Sequence, residues 1–148
     1  MEGEDKNMTA YCGLYCGDCF GYKGDVADMA RDLRKEMRKP EYKRFAEFIS
    51  KTPFGKAYEN YDACYEMLGA MVRFRCKRGC KNGGGPPFCK IRQCAQKKEY
   101  EGCWECDEFE TCKKLDFLKD VHLDAHIKNL KIIKKKGVKE FEKGKRNW

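Results

Sequence analysis

The sequence predicts a mainly α, small and irregular cysteine-rich domain. Three observations predict it. Ten of the eleven cysteines fall into two clusters, Cys12 to Cys19 and Cys76 to Cys112. Apolar residues recur at helical spacing between and after the clusters. No run of alternating β-branched residues marks a strand. With 148 residues, the expectation is a single domain spanning 1–148. It divides into an N-terminal knuckle (12–19), a helical segment (25–74), a cysteine-rich segment (76–112) and a C-terminal basic helix (122–144).

Each element has a local reason. Residues 1–10 are polar and expected to fray. Gly13 and Gly17 permit the tight backbone of the first knuckle. Asp25 reads as the N-cap of a helix to Arg38, with Val26, Met29, Ala30, Leu33 and Met37 on one face. Pro40 ends it. A second helix, Glu41 to Lys51, groups Tyr42, Phe45, Phe48 and Ile49. Pro53 and Gly55 mark the following break. A third, Glu59 to Phe74, aligns Tyr61, Cys64, Tyr65, Leu68, Met71 and Val72, which makes Cys64 a small buried core residue. Short helices are expected at Lys90–Lys98 and Phe109–Leu118. After Asp124 comes a basic helix with Ile127, Leu130 and Ile133 as its apolar face. Gly137 caps it, and a last turn carries Val138 and Phe141.

Composition limits the chemistry. Hydrophobic residues make up 41%, charged residues 38%, and mean hydropathy is -0.85. Such a chain is short of apolar burial, and a bound metal relieves the shortage: structural zinc supplies about 10–16 kcal/mol of apparent folding free energy. The start, MEGEDKNMTAYCG, holds no apolar export segment, and no stretch nears the ~20 apolar residues of a membrane span. A cytoplasmic protein with reduced thiols is therefore expected, with no membrane partner. The odd cysteine count fits a closed disulfide set badly.

The spacings fit metal ligation. Cysteines two to four residues apart bring two thiolates to one ion from a turn. Cys12/Cys16, Cys16/Cys19, Cys76/Cys80 and Cys103/Cys106 are such pairs, and Cys89/Cys94 sits at the limit. With Cys112 they make ten candidate ligands, enough for two four-cysteine zinc sites with two thiols over. The pairing is not legible in the spacing; the N-terminal triad is expected to take a ligand from the Cys76–Cys112 region. Iron–sulfur is the competing cofactor, in electron transfer or redox sensing. Cys12-x3-Cys16-x2-Cys19 has the radical-SAM spacing. However, Asp18 stands where an aromatic residue is usual, and the chain is far shorter than the about 250 residues of a full barrel. His122 and His126 read as surface or capping residues, since cysteines already exceed the ligands needed. Gly83-Gly84-Gly85-Pro86-Pro87 lacks the Lys-Ser/Thr ending of a phosphate loop. It reads as backbone curling round a knuckle, with amide N–H groups toward sulfur. No catalytic constellation emerges, and a binding or adaptor role is expected over an enzyme.

Charge is uneven. Residues 76–100 hold seven basic residues and one acid, 101–124 three and eight, and 125–148 nine and two. Basic segments beside Phe88, Tyr100 and Trp104 could bind nucleic acid, or a protein partner. The competing reading pairs the acidic segment with a basic one inside the fold.

CGLYCGDC, RCKRGC, GGGPPFCKIRQCAQKK and GCWECDEFETCKKL resemble a prokaryotic family of unknown function, numbered three-seven-nine-five among such domains. The tail from His122, with Gly-Val-x-x-Phe after its helix, is similar too. The resemblance covers most of the chain. It implies a small cytoplasmic zinc binder of bacteria or archaea with no assigned reaction. Carried over by position, it implies ligands at Cys12, Cys16, Cys19, Cys76, Cys80, Cys89, Cys94, Cys103, Cys106 and Cys112.

Overall fold

Proline, glycine and apolar spacing set where the helices begin and stop. The computed structural model describes residues 7–148. Its α-helices are α1 (Phe20–Lys23), α2 (Asp25–Met37), α3 (Pro40–Ser50), α4 (Tyr61–Arg73), α5 (Lys90–Lys97), α6 (Lys119–His122), α7 (Ala125–Lys136) and α8 (Val138–Lys143). Tighter 3-10 turns join them. Among the described residues there is no strand, only an isolated bridge between Thr9 and Tyr15. The mainly α expectation is met.

Several local expectations are corrected. Gly24, in the left-handed region, caps α2, so Asp25 is its first helical residue. Pro40 opens α3 at a position whose N–H has no helical partner anyway. The expected Phe109–Leu118 helix is two 3-10 turns, Phe109–Thr111 and Lys113–Leu118. Of the expected fraying, residues 1–6 lie outside the described residues. Met8, Thr9 and Ala10 are buried, because Cys16 N–H donates to Met8 O and Ala10 N–H to Leu14 O, each at 2.8 Å.

The chain divides into two compact units, residues 1–22 with 76–148, and residues 23–75. In the second, α2 packs on α4, and α3 on the 3-10 segment Pro53–Asn60. Its buried side chains are mostly small: Ala27, Ala30, Ala46 and Met37. Small contact residues let helix backbones approach, so Val26, Met29, Leu33 and Phe48 of the predicted faces remain exposed. Cys64 is exposed too, not a core residue. The Arg34 guanidinium lies 4.2 Å from the Tyr65 ring centre, and the Tyr61 hydroxyl donates to Met37 O.

The larger unit holds the main core: Leu14, Ile91, Trp104, Phe109, Leu115, Leu118, Leu130, Ile133 and Phe141. Leu130 and Ile133 are buried, as the period of the basic helix predicts, and Ile127 is half-buried. Gly13 adopts φ +84°, and a Cβ there would stand 2.9 Å from Leu130 Cδ2. The N-terminal loop therefore sits on α7 only as glycine. The C-terminal end fastens to the same loop. Arg146 holds both Asp18 carboxylate oxygens at 2.7 and 3.1 Å, and Thr9 Oγ1 donates to Glu142 at 2.6 Å. Buried Asn129 donates to Asn147 O at 2.8 Å and accepts from Asn147 N–H at 2.9 Å. Lys131–Glu110 (2.8 Å) and Lys134–Asp107 (3.0 Å) tie the acidic segment to the basic helix. Part of the charge pattern is thus internal pairing, at about 0–1 kcal/mol per exposed pair.

His126 corrects the expectation of surface histidines. It is 0% exposed, and neither ring nitrogen has a partner among the described residues. Burial first, then the charges of His122 and Lys119, holds its pKa below the usual 6.5, against the weaker pull of Asp124 and Asp116. The unfolded chain therefore takes up a proton through about pH 6.5 that the folded chain refuses. Stability contributed by neutral His126 is present above that pH and is lost as pH falls toward the lower folded value. The His126→Leu variant is expected to gain in urea midpoint relative to wild type as pH is lowered from about 7.5 to about 5.5. A midpoint difference independent of pH would contradict the burial argument.

Candidate metal centre

None of the eleven cysteines is disulfide-bonded. Four of them, Cys94, Cys103, Cys106 and Cys112, line one cavity of about 30 Å³. Local structure explains the gathering. Cys94 lies in the middle of α5, whose Ile91 and Ala95 are buried. Cys103 and Cys106 bracket the turn Cys103–Glu105, whose Trp104 anchors it in the core. Cys112 follows the turn that buries Phe109. Each thiol is thus one to three residues from a buried apolar anchor. Ile91, Ala95, Phe109 and Leu115 supply apolar lining to the same cavity, and Lys98 and Lys114 border it.

The electrostatics suit a cation. Burial, with the neighbouring Cys12, Cys112, Cys106 and Cys94, pushes the Cys103 thiol up to about 12. Charge on Cys106 and Cys94 in turn holds the Lys98 ammonium above its ordinary range. The Cys103 thiol stays protonated at neutral pH unless a cation takes the proton's place, because the thiolate is the ligand form.

Six further sequence-predicted ligands lie in the same unit. The turn Cys16–Asp18 carries Cys16, buried, with Cys19 at its end. Cys80 N–H donates to Cys16 Sγ at 3.4 Å, an amide directed at sulfur from just ahead of the glycine-rich segment 83–87. The hydrogen bond from the Cys80 thiol, foremost, lowers Cys16 to about 7, while Cys80 is pushed up. Cys12 is pushed up to about 12, chiefly by burial. Cys12, Cys80 and Cys89 line a second small cavity with Arg92. Cys19 lines neither cavity. Cys64 belongs to the 23–75 unit. Among the described residues, no three ligand-type side chains converge at the spacing of a single ion. The thiols share cavities without meeting at one point.

Arg92 escapes sequence reasoning, since no spacing singles it out. Its guanidinium donates to Cys80 O (3.1 Å), Gly84 O (2.7 Å), Pro86 O (2.6 Å) and Pro87 O (3.4 Å). One planar fork thereby holds the whole glycine–proline loop. The Arg92→Ala variant is expected to lose about 2 kcal/mol, the scale of hydrogen bonds to a charged group. Arg92→Lys should recover less than half, because an ammonium cannot span the four carbonyls. Denaturant unfolding of the three proteins checks both.

No helix of the described residues is long and apolar enough to cross a membrane. No curated protein and no solved structure matches the chain. The model of one family, described as a protein of unknown function (DUF3795), matches residues 8–117 and takes in all ten clustered cysteines; the chain belongs to that family.

Proposed function

We propose that this protein binds zinc, and that the ion is structural, held by Cys94, Cys103, Cys106 and Cys112. The carrying observation is that these four thiols line one cavity of about 30 Å³. Zinc in structural sites takes four such ligands in a tetrahedron. The cavity exceeds the ~10–15 Å³ that one water needs and is far below the ~300–1,000 Å³ of a small-molecule site. That size suits a single ion better than a four-iron, four-sulfide core or a substrate. Four thiolates and one divalent ion carry a formal charge of -2, which Lys98 and Lys114 offset from the rim.

The cysteine-lined cavity itself is too small for a substrate, which supports a binding or adaptor module. All eleven thiols being reduced suits the cytoplasm. Nucleic-acid binding gains little support: Trp104 is buried, and Lys131 and Lys134 are paired within the fold.

Metal analysis of anaerobically purified protein tests the reading. Zinc without iron is expected, with cobalt substitution giving thiolate charge-transfer and tetrahedral bands. Cys106→Ser should lose the ion of this cavity. Brown protein carrying iron and acid-labile sulfide would replace the zinc reading with the cluster reading.

A further inference from the structure

We propose a second thiolate centre for a divalent zinc-like ion, held by Cys12, Cys16, Cys76 and Cys80 around the Gly79–Gly85 loop. It rests on the reading that this protein binds metal through its thiols. The ligands form two Cys-x3-Cys pairs from distant parts of the chain, two thiolates from each turn.

Three observations assemble it. Cys80 N–H donates to Cys16 Sγ at 3.4 Å, which brings the backbone of one knuckle against the sulfur of the other. Cys12 and Cys80 both pack on the buried cluster of Met8, Ala10 and Cys16, so three of the four thiols share one wall. The fourth is placed by glycine. A Cβ on Gly84 would stand 2.7 Å from Cys76 Sγ, and one on Gly85 3.0 Å from Cys80 Sγ. The loop thus passes these two sulfurs at a distance that only glycine permits. Cys76 N–H also donates to Gly21 O at 2.9 Å, tying its strand of chain beside the Cys16 turn.

The surroundings suit an anionic centre. Arg92 lines the cavity beside Cys12 and Cys80, and the Lys81 ammonium acts on Cys16. Cys80 N–H, already directed at Cys16 Sγ, stabilises a bound thiolate. On binding, four S–H bonds break, four S–metal bonds form, and four protons pass to solvent. Cys89 lines the small cavity with Cys12 and Cys80 and is the neighbour that this ligand set leaves out. Cys19 ends its turn away from the cavities.

The test uses the full zinc-loaded chain. A brief N-ethylmaleimide pulse followed by peptide mass spectrometry is expected to modify Cys19, Cys64 and Cys89 and to spare the other eight. About two zinc per chain are expected. Cys80→Ser and Cys94→Ser should each lose one, and Cys19→Ser and Cys89→Ser none. Protection of Cys89 or Cys19 in place of one of the four, with zinc lost on its substitution, would overturn this ligand set. So would one zinc per chain with only Cys94, Cys103, Cys106 and Cys112 protected. A chain that binds no zinc overturns the proposed function itself, which keeps the two failures distinct. Should Cys80→Ser fail to fold, the protection pattern of the native chain decides.

Discussion

Chelation of the metal is expected to unfold the cysteine-rich segment, residues 76–112, while α2, α3 and α4 keep their helical structure. The reason lies in where the ligands and the core coincide. Leu14, Ile91, Trp104 and Phe109 are core residues of the larger unit, and each lies within three residues of a proposed ligand. The turns that present Trp104 and Phe109 are short 3-10 pieces with few hydrogen bonds of their own. Zinc contributes about 10–16 kcal/mol of apparent folding free energy, as much as the ~5–15 kcal/mol total of an ordinary domain. Its removal therefore takes away most or all of the stability of that unit. The 23–75 unit contains one cysteine, Cys64, which is exposed, so chelation has nothing to act on there. Hydrogen exchange with mass spectrometry, with and without chelator, checks the expectation. Equal protection loss in both units, or none in either after complete zinc removal, would contradict a structural metal.

Replacing Phe141 by alanine is expected to cost about 3–5 kcal/mol, the range for a buried aromatic truncated to alanine. Phe141 is 1% exposed and lies in the same core as Leu130 and Ile133. Its helix, α8, is only six residues long and depends on packing for its stability. Losing that side chain also frees the C-terminal end that Arg146 pins to Asp18 of the N-terminal loop and Asn147 to Asn129 of α7. Phe88→Ala is the control: Phe88 is 84% exposed, and its loss should fall within about 0.5 kcal/mol. Urea unfolding of both variants measures the contrast. A Phe141→Ala cost no larger than that of Phe88→Ala would mean that α8 does not close the core.

Helix existence was legible in the sequence, and helix faces only in part. The spacing of Tyr42, Phe45, Phe48 and Ile49 announces α3, and Gly137 with the spacing of Leu130 and Ile133 announces the end of α7 and its buried side. In α2 the period is equally clear and Ala30 and Met37 of its predicted face are buried, yet Ala27 from outside that face is buried too while Val26, Met29 and Leu33 are exposed. Which flank of an apolar stripe packs depends on how closely its partner helix approaches, and spacing carries no information on that. Cys64 sits in a helical stripe and still faces solvent for the same reason. Met8 to Ala10 look polar and loose in sequence, but their backbone hydrogen bonds go to the loop that carries Cys12 and Cys16. At the candidate centre, the cysteine spacings identify which residues can share a turn. The grouping of Cys94 with Cys103, Cys106 and Cys112 depends on α5 packing beside the Trp104 and Phe109 turns, a tertiary fact. Arg92 carries no local signal, because an arginine becomes a carbonyl clamp only once the loop has folded round it.

The account stands on four thiols closing round one zinc ion, and diffraction at the zinc absorption edge tests that most directly. An anomalous peak about 2.3 Å from the sulfurs of Cys94, Cys103, Cys106 and Cys112 is the predicted result. Scattering at the iron edge with sulfide between these sulfurs, or disulfides joining them with no metal, would contradict it.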